Sequence, residues 1–60
     1  MELSEIHDYA RRLMEARGPK AIAEAAQKAR TFEEQGNAEQ AKTWRNIEQA
    51  LLFMRGPSVS

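Results

Sequence analysis

Asn37-Ala38-Glu39-Gln40-Ala41-Lys42-Thr43-Trp44-Arg45-Asn46-Ile47-Glu48-Gln49-Ala50-Leu51-Leu52-Phe53-Met54-Arg55 reads as one long helix. It is built mostly from Ala, Gln, Glu, Leu, Met, Lys and Arg, which lose little on entering a helix. Ala41, Trp44, Ile47, Leu51 and Met54 recur at spacings of three and four. That spacing is one face of a helix turning 100° per residue. The same wheel puts Phe53 nearly opposite the stripe and Leu52 on its flank. The stretch therefore carries more apolar surface than one core-facing stripe requires.

Two further helices precede it, and the turns are written in Gly, Pro and Asn. Gly18-Pro19 closes the first helix and opens the second: Gly suits the left-handed position after a helix, and Pro suits the first helical position. Gly36-Asn37 repeats the pattern, with Asn37 as cap of the third helix. Gly56-Pro57 stops that helix, and Ser58-Val59-Ser60 is expected to fray. The expected fold is all-α, a compact three-helix bundle with helices over about 3–17, 19–35 and 37–55. Residues 1–57 form its single domain, and 58–60 its tail.

The first helix has an apolar stripe of Leu3, Ile6, Tyr9, Ala10, Leu13 and Met14. The second has Ala21, Ile22, Ala25, Ala26, Ala29 and Phe32. The Ala-rich second stripe buries little area but lets backbones approach closely. Helices two and three are thus expected as a close hairpin, with helix one over their groove.

Sixty residues bound the fold to one small domain. A chain of this size buries only about 60% of the surface its unfolded form exposes. Disulfides, a metal, very regular helix packing or oligomerisation usually support such chains. There is no Cys, which removes disulfides and thiolate ligands and fits a reducing compartment. Nine basic residues balance nine acidic ones, against a general nucleic-acid binder. No apolar run approaches the ~20 residues that span a bilayer. The polar start Met1-Glu2-Leu3-Ser4-Glu5 is unlike a secretory signal, and the expected location is cytoplasmic.

In an up-down-up bundle, Glu2, Glu5, Asp8, Glu33, Glu34 and Glu39 would gather at one end. Arg11, Arg12, Arg17, Lys20 and Arg55 would gather at the other. Arg17, Lys20 and Arg55 are the candidate anion-binding residues, near the free N–H groups opening helix two. Solvated charges in local pairs such as Asp8/Arg12, Lys20/Glu24 and Glu24/Lys28 are the plainer reading.

No residue set points to catalysis, a metal or a cofactor. His7 is the single histidine, and Ser4 stands where a Glu-x-x-His ligand pair would need its Glu. Tyr9, Ser4 and Thr31 lack a partner base in the pattern. Trp44 with Phe32 reads as a packing pair across the turn rather than a base-stacking platform. A helix-turn-helix centred on Gly36 would put Lys42 at a core position and bring Glu33, Glu34 and Glu39 towards phosphates.

The turn Gln35-Gly36-Asn37, followed by Ala41 and preceded by Ala29 and Phe32, resembles the helical hairpin of a tetratricopeptide repeat. Lys28, Arg45 and Glu48 depart from that pattern, which has Leu, an aromatic residue and Ala there. The resemblance implies a tight antiparallel hairpin with a small-residue contact, without a second copy to form an array. The chain as a whole also resembles the short helical proteins common in bacterial genomes.

The expected function is a small non-enzymatic protein–protein interaction module. It would self-associate or dock on a larger protein through Leu52 and Phe53. The competing reading of that pair is cover by helix one or by the C-terminal tail. The alternative function is a regulator binding an anion or nucleic acid at the basic pole. No small-molecule substrate is inferred.

Overall fold

A computed structural model describes residues 2–55. The expected stop at Gly56-Pro57 and the tail 58–60 lie outside the described residues. Three helices follow one another: α1 (Leu3–Arg17), α2 (Lys20–Glu34) and α3 (Ala38–Arg55). They form an all-α three-helix bundle, with bounds within one residue of those expected.

Local chemistry explains each boundary. The Glu5 carboxylate accepts the Glu2 backbone N–H at 3.0 Å, and Ile6 N–H bonds the Glu2 carbonyl at 3.0 Å. Those bonds satisfy a free donor and start α1 at Leu3. Gly18 donates back to the Met14 carbonyl at 2.8 Å and holds φ 64, ψ −149. This combination is open essentially to glycine alone. Pro19, at φ −59, then aims the chain into α2.

The second turn is a Schellman motif. Gly36 N–H bonds the Glu33 carbonyl at 3.1 Å, and Asn37 N–H bonds the Phe32 carbonyl at 2.9 Å. Gly36 takes the positive φ, 78°, that the motif requires. Asn37 Oδ1 then accepts Gln40 N–H at 3.3 Å, capping α3 as its side chain suggests.

The most extensive packing is between α2 and α3, and α1 rests mainly on α3. The central cluster joins Ile6 and Ala10 of α1, Ala21 and Ala25 of α2, and Ile47, Ala50 and Leu51 of α3. Leu13, Met14, Ile22, Trp44 and Met54 pack around it. Ala29 and Ala41 are buried outside this cluster, nearer the hairpin turn. Among the described residues, only Ile47 and Leu51 are large side chains with essentially no exposure. Burying each stabilises the fold by about 1.5–3 kcal/mol. Ala50, between the core stripe and the outer face on the wheel, is also buried.

The direction of α1 differs from the up-down-up expectation. Leu3 and His7 share a groove with Asn46, Gln49, Ala50 and Phe53, whereas Tyr9 packs on Trp44. Positions that advance along α1 fall back along α3, so α1 crosses α3 against its direction. The start of α1 therefore lies roughly 10–21 Å along α3 from Glu39, at 1.5 Å per residue. The acidic residues of α1 do not gather with Glu33, Glu34 and Glu39 into one pole.

Trp44 takes Tyr9 rather than Phe32 as its ring partner. The rings meet edge-on, 5.8 Å apart and inclined at 75°. Such a pair contributes about 0.5–1.5 kcal/mol beyond its buried area. Lys28 Nζ lies 5.5 Å from the Trp44 ring centre, a cation–π contact between α2 and α3.

Candidate interaction surface

Phe53 is 82% exposed and Leu3 is 68% exposed. They flank a shallow groove of about 280 Å³ where the first turns of α1 meet the second half of α3. His7, Asn46, Gln49 and Ala50 complete its lining. Helical geometry explains the α3 side: residues 46, 49, 50 and 53 are three and four apart and share one face. The α1 side was expected elsewhere, because Leu3 belongs to the apolar stripe of Ile6 and Ala10. It stands within about 20° of Ala10 around the helix axis. Its exposure shows that cover by α2 and α3 ends before the first turn of α1.

The structure thus separates the two residues expected as a pair. Phe53 stands on the outer face beside Leu3, while Leu52 is half-buried on another side of α3. Helix α1 borders Phe53 without covering it. Leu3 is the member of this surface that sequence reasoning placed in the core. The pattern that could have flagged it is its position in the first turn, where a crossing helix has no neighbour on both sides.

His7 is exposed on the groove's edge. Among the described residues, no three His, Asp or Glu side chains converge as a metal-ligand set would. Nor, among the described residues, is any helix long and apolar enough to cross a membrane.

The candidate anion-binding residues sit in different surroundings. Arg17 is committed to Glu24, Nη1 donating to Oε2 at 3.3 Å, which ties the end of α1 to α2. Glu24 therefore takes Arg17 in place of the expected Lys20 or Lys28. Lys20 opens α2 and Arg55 ends α3, both exposed. Of the wider basic set, Arg11 and Arg12 are also exposed along α1.

The organised charge lies instead around Arg45. Its Nε and Nη2 donate to the two carboxylate oxygens of Glu33 at 3.2 and 3.1 Å. Its Nη1 donates to Glu48 at 3.1 Å. This fork clasps α2 to α3 beside the turn, and the paired geometry is the stronger kind of ion pair. Lys28, Arg45 and Glu48, the three positions that depart from the tetratricopeptide pattern, are all used in these polar links. The hydrogen bond from Arg45 holds the Glu33 carboxyl below the usual carboxylate range. Glu33 and Glu48 push the Arg45 guanidinium further up.

The sign of the pH dependence follows. A lowered carboxyl pKa in the fold gives stability that is present above the unfolded value and lost as pH falls through the folded one. Glu33→Gln is therefore expected to melt below the wild type at pH 7. The gap should begin to shrink as pH falls into the ordinary carboxylate range, about 4, and close only once pH has passed the lowered value at which Glu33 of the folded wild type is protonated. Paired thermal melts across that range check it. A gap that is independent of pH would assign the loss to something other than the ionised pair.

No protein family, curated protein or solved structure matches the chain.

Proposed function

We propose that this chain is a small non-enzymatic module for protein–protein contact, working through the face where Leu3 and Phe53 meet. Its partner is a copy of itself or a larger protein. The single observation that carries the reading is the exposure of Phe53, 82%, next to Leu3 at 68%. Covering one such side chain on binding is worth up to about 1.5–3 kcal/mol. Aromatic anchors at the centre of an interface commonly dominate its binding energy. The groove is shallow and no carboxylate, guanidinium or ammonium lines it, which supports contact with another protein surface over capture of a small molecule.

The test is a photo-cross-linking amino acid placed at position 53 in the native host cell, with position 30 as an exposed control on α2. A defined adduct at 53 and none at 30 is the expected result. Equal, diffuse labelling at both positions would remove the face from consideration.

A further inference from the structure

We infer that α1 is a hinged lid. It lifts off the α2–α3 hairpin by turning about Gly18, while the hairpin keeps its own packing.

The buried side chains divide unevenly between lid and hairpin. Helix α1 buries Ile6 and Ala10. The hairpin buries Ala21, Ala25 and Ala29 on α2 and Ala41, Ile47, Ala50 and Leu51 on α3. The first turn of α1 adds little, since Leu3 is exposed. Of the three helix pairs, α1 and α2 pack least extensively. A helix with few buried apolar contacts is the part of a fold that opens first.

The polar links divide in the same way. Among the described residues, the side-chain hydrogen bond from α1 to the hairpin is Arg17 Nη1 to Glu24 Oε2, at 3.3 Å. Solvent reaches both side chains, and such a pair contributes little. The hairpin is tied by the Arg45 fork on Glu33, by Lys28 over Trp44 and by the Schellman turn at Gly36. These links are made without α1. Ala29 and Ala41 also lie outside the cluster that Ile6 and Ala10 enter. The turn end of the hairpin therefore persists when α1 leaves.

Gly18-Pro19 suits a pivot. The backbone bonds beside it stay within one helix or the other. Gly18 N–H bonds the Met14 carbonyl at the end of α1, and Ile22 N–H bonds the Pro19 carbonyl at the start of α2. Pro19 has its φ fixed by its ring, whereas Gly18 is free to rotate. A side-chain carbon at Gly18 would meet nothing within 4 Å, so no neighbour blocks that rotation. Once lifted, a helix of 15 residues is marginal in water and unravels.

Lifting also dissolves the Leu3–Phe53 face, because Leu3 is carried by α1 and Phe53 by α3. A partner that covers both residues holds the lid shut. That consequence rests on the reading of the face as a docking surface; the lid itself does not.

Amide hydrogen exchange of the purified full chain, followed by nuclear magnetic resonance, tests the lid. Relative to their intrinsic rates, the Ala10 and Leu13 amides of α1 should exchange at least about tenfold faster than those of Ile47 and Leu51 in α3. Glu33→Gln, at neutral pH, removes a link that the lifted state still contains. It should therefore speed exchange at Ile47 and Leu51 and leave Ala10 and Leu13 unchanged. Equal protection in all three helices of the wild type overturns the inference. So does a Glu33→Gln variant in which α1 and α3 speed up by the same factor. The measurement contains no partner, so its failure leaves the docking face standing, and the cross-link at position 53 judges that face separately.

Discussion

Leu51→Ala is expected to leave a large part of the population unfolded at 25 °C. Leu51 has no exposed surface and belongs to the cluster where all three helices meet. Truncating a buried Leu to Ala costs about 2–5 kcal/mol, the upper part of that range applying where neighbours cannot close the cavity. Here the neighbours include Ala21, Ala25, Ala10 and Ala50, whose side chains are too short to swing into the space. A domain of sixty residues has a total stability of about 3–9 kcal/mol, at roughly 0.05–0.15 kcal/mol per residue. One substitution can thus remove half or more of it. Urea titrations followed by far-ultraviolet circular dichroism, at a fixed protein concentration, give the number. A loss under about 1 kcal/mol would mean that the three helices do not share the core described above.

The second large effect concerns the opposite change. Ala29→Leu should destabilise the fold by about 1–3 kcal/mol through overpacking. Ala29 is fully buried on α2, away from the central cluster and near the hairpin turn, where Ala41 is buried on α3. Burial of side chains this small indicates that the two backbones run close together. The Arg45 fork on Glu33 and the Schellman turn at Gly36 hold them there, so the helices cannot separate to admit three more carbons at no cost. The melt of Ala29→Leu should fall below that of Ala29→Ser, which keeps the volume. A melting temperature at or above the wild type would show that space exists between α2 and α3 near the turn.

The two substitutions probe opposite features of one design. A core in which Ile6, Ile47 and Leu51 are packed among many alanines tolerates neither loss of bulk at Leu51 nor gain of bulk at Ala29. Such a core also leaves apolar residues over, and Phe53 and Leu3 are where they appear.

Much of the fold is written locally. The periodicity of three and four gave three helices because a helix presents one face at that spacing. Gly18-Pro19 and Gly36-Asn37 set the turns because the backbone bonds they close lie within a few residues. Phe53 was readable as an outlier on α3 for the same reason: its angle on the wheel depends on nothing outside the helix.

What no single helix could disclose is which side of it the others would cover. Leu3 and Ala10 share a face, yet one is exposed and the other buried, because the cover stops along the axis of α1. Tyr9 rather than Phe32 meets Trp44, and Arg45 rather than a neighbour on its own turn takes Glu33. Each of these follows from the angle at which α1 crosses the hairpin and from the offset between α2 and α3. Those quantities are set by how Ile47, Leu51 and the alanines fit together in three dimensions. The sequence by itself determined the helices, their turns and a surplus apolar residue at position 53. The tertiary structure decided that Leu3 stands beside it, because only the crossing of two distant segments creates a shared surface.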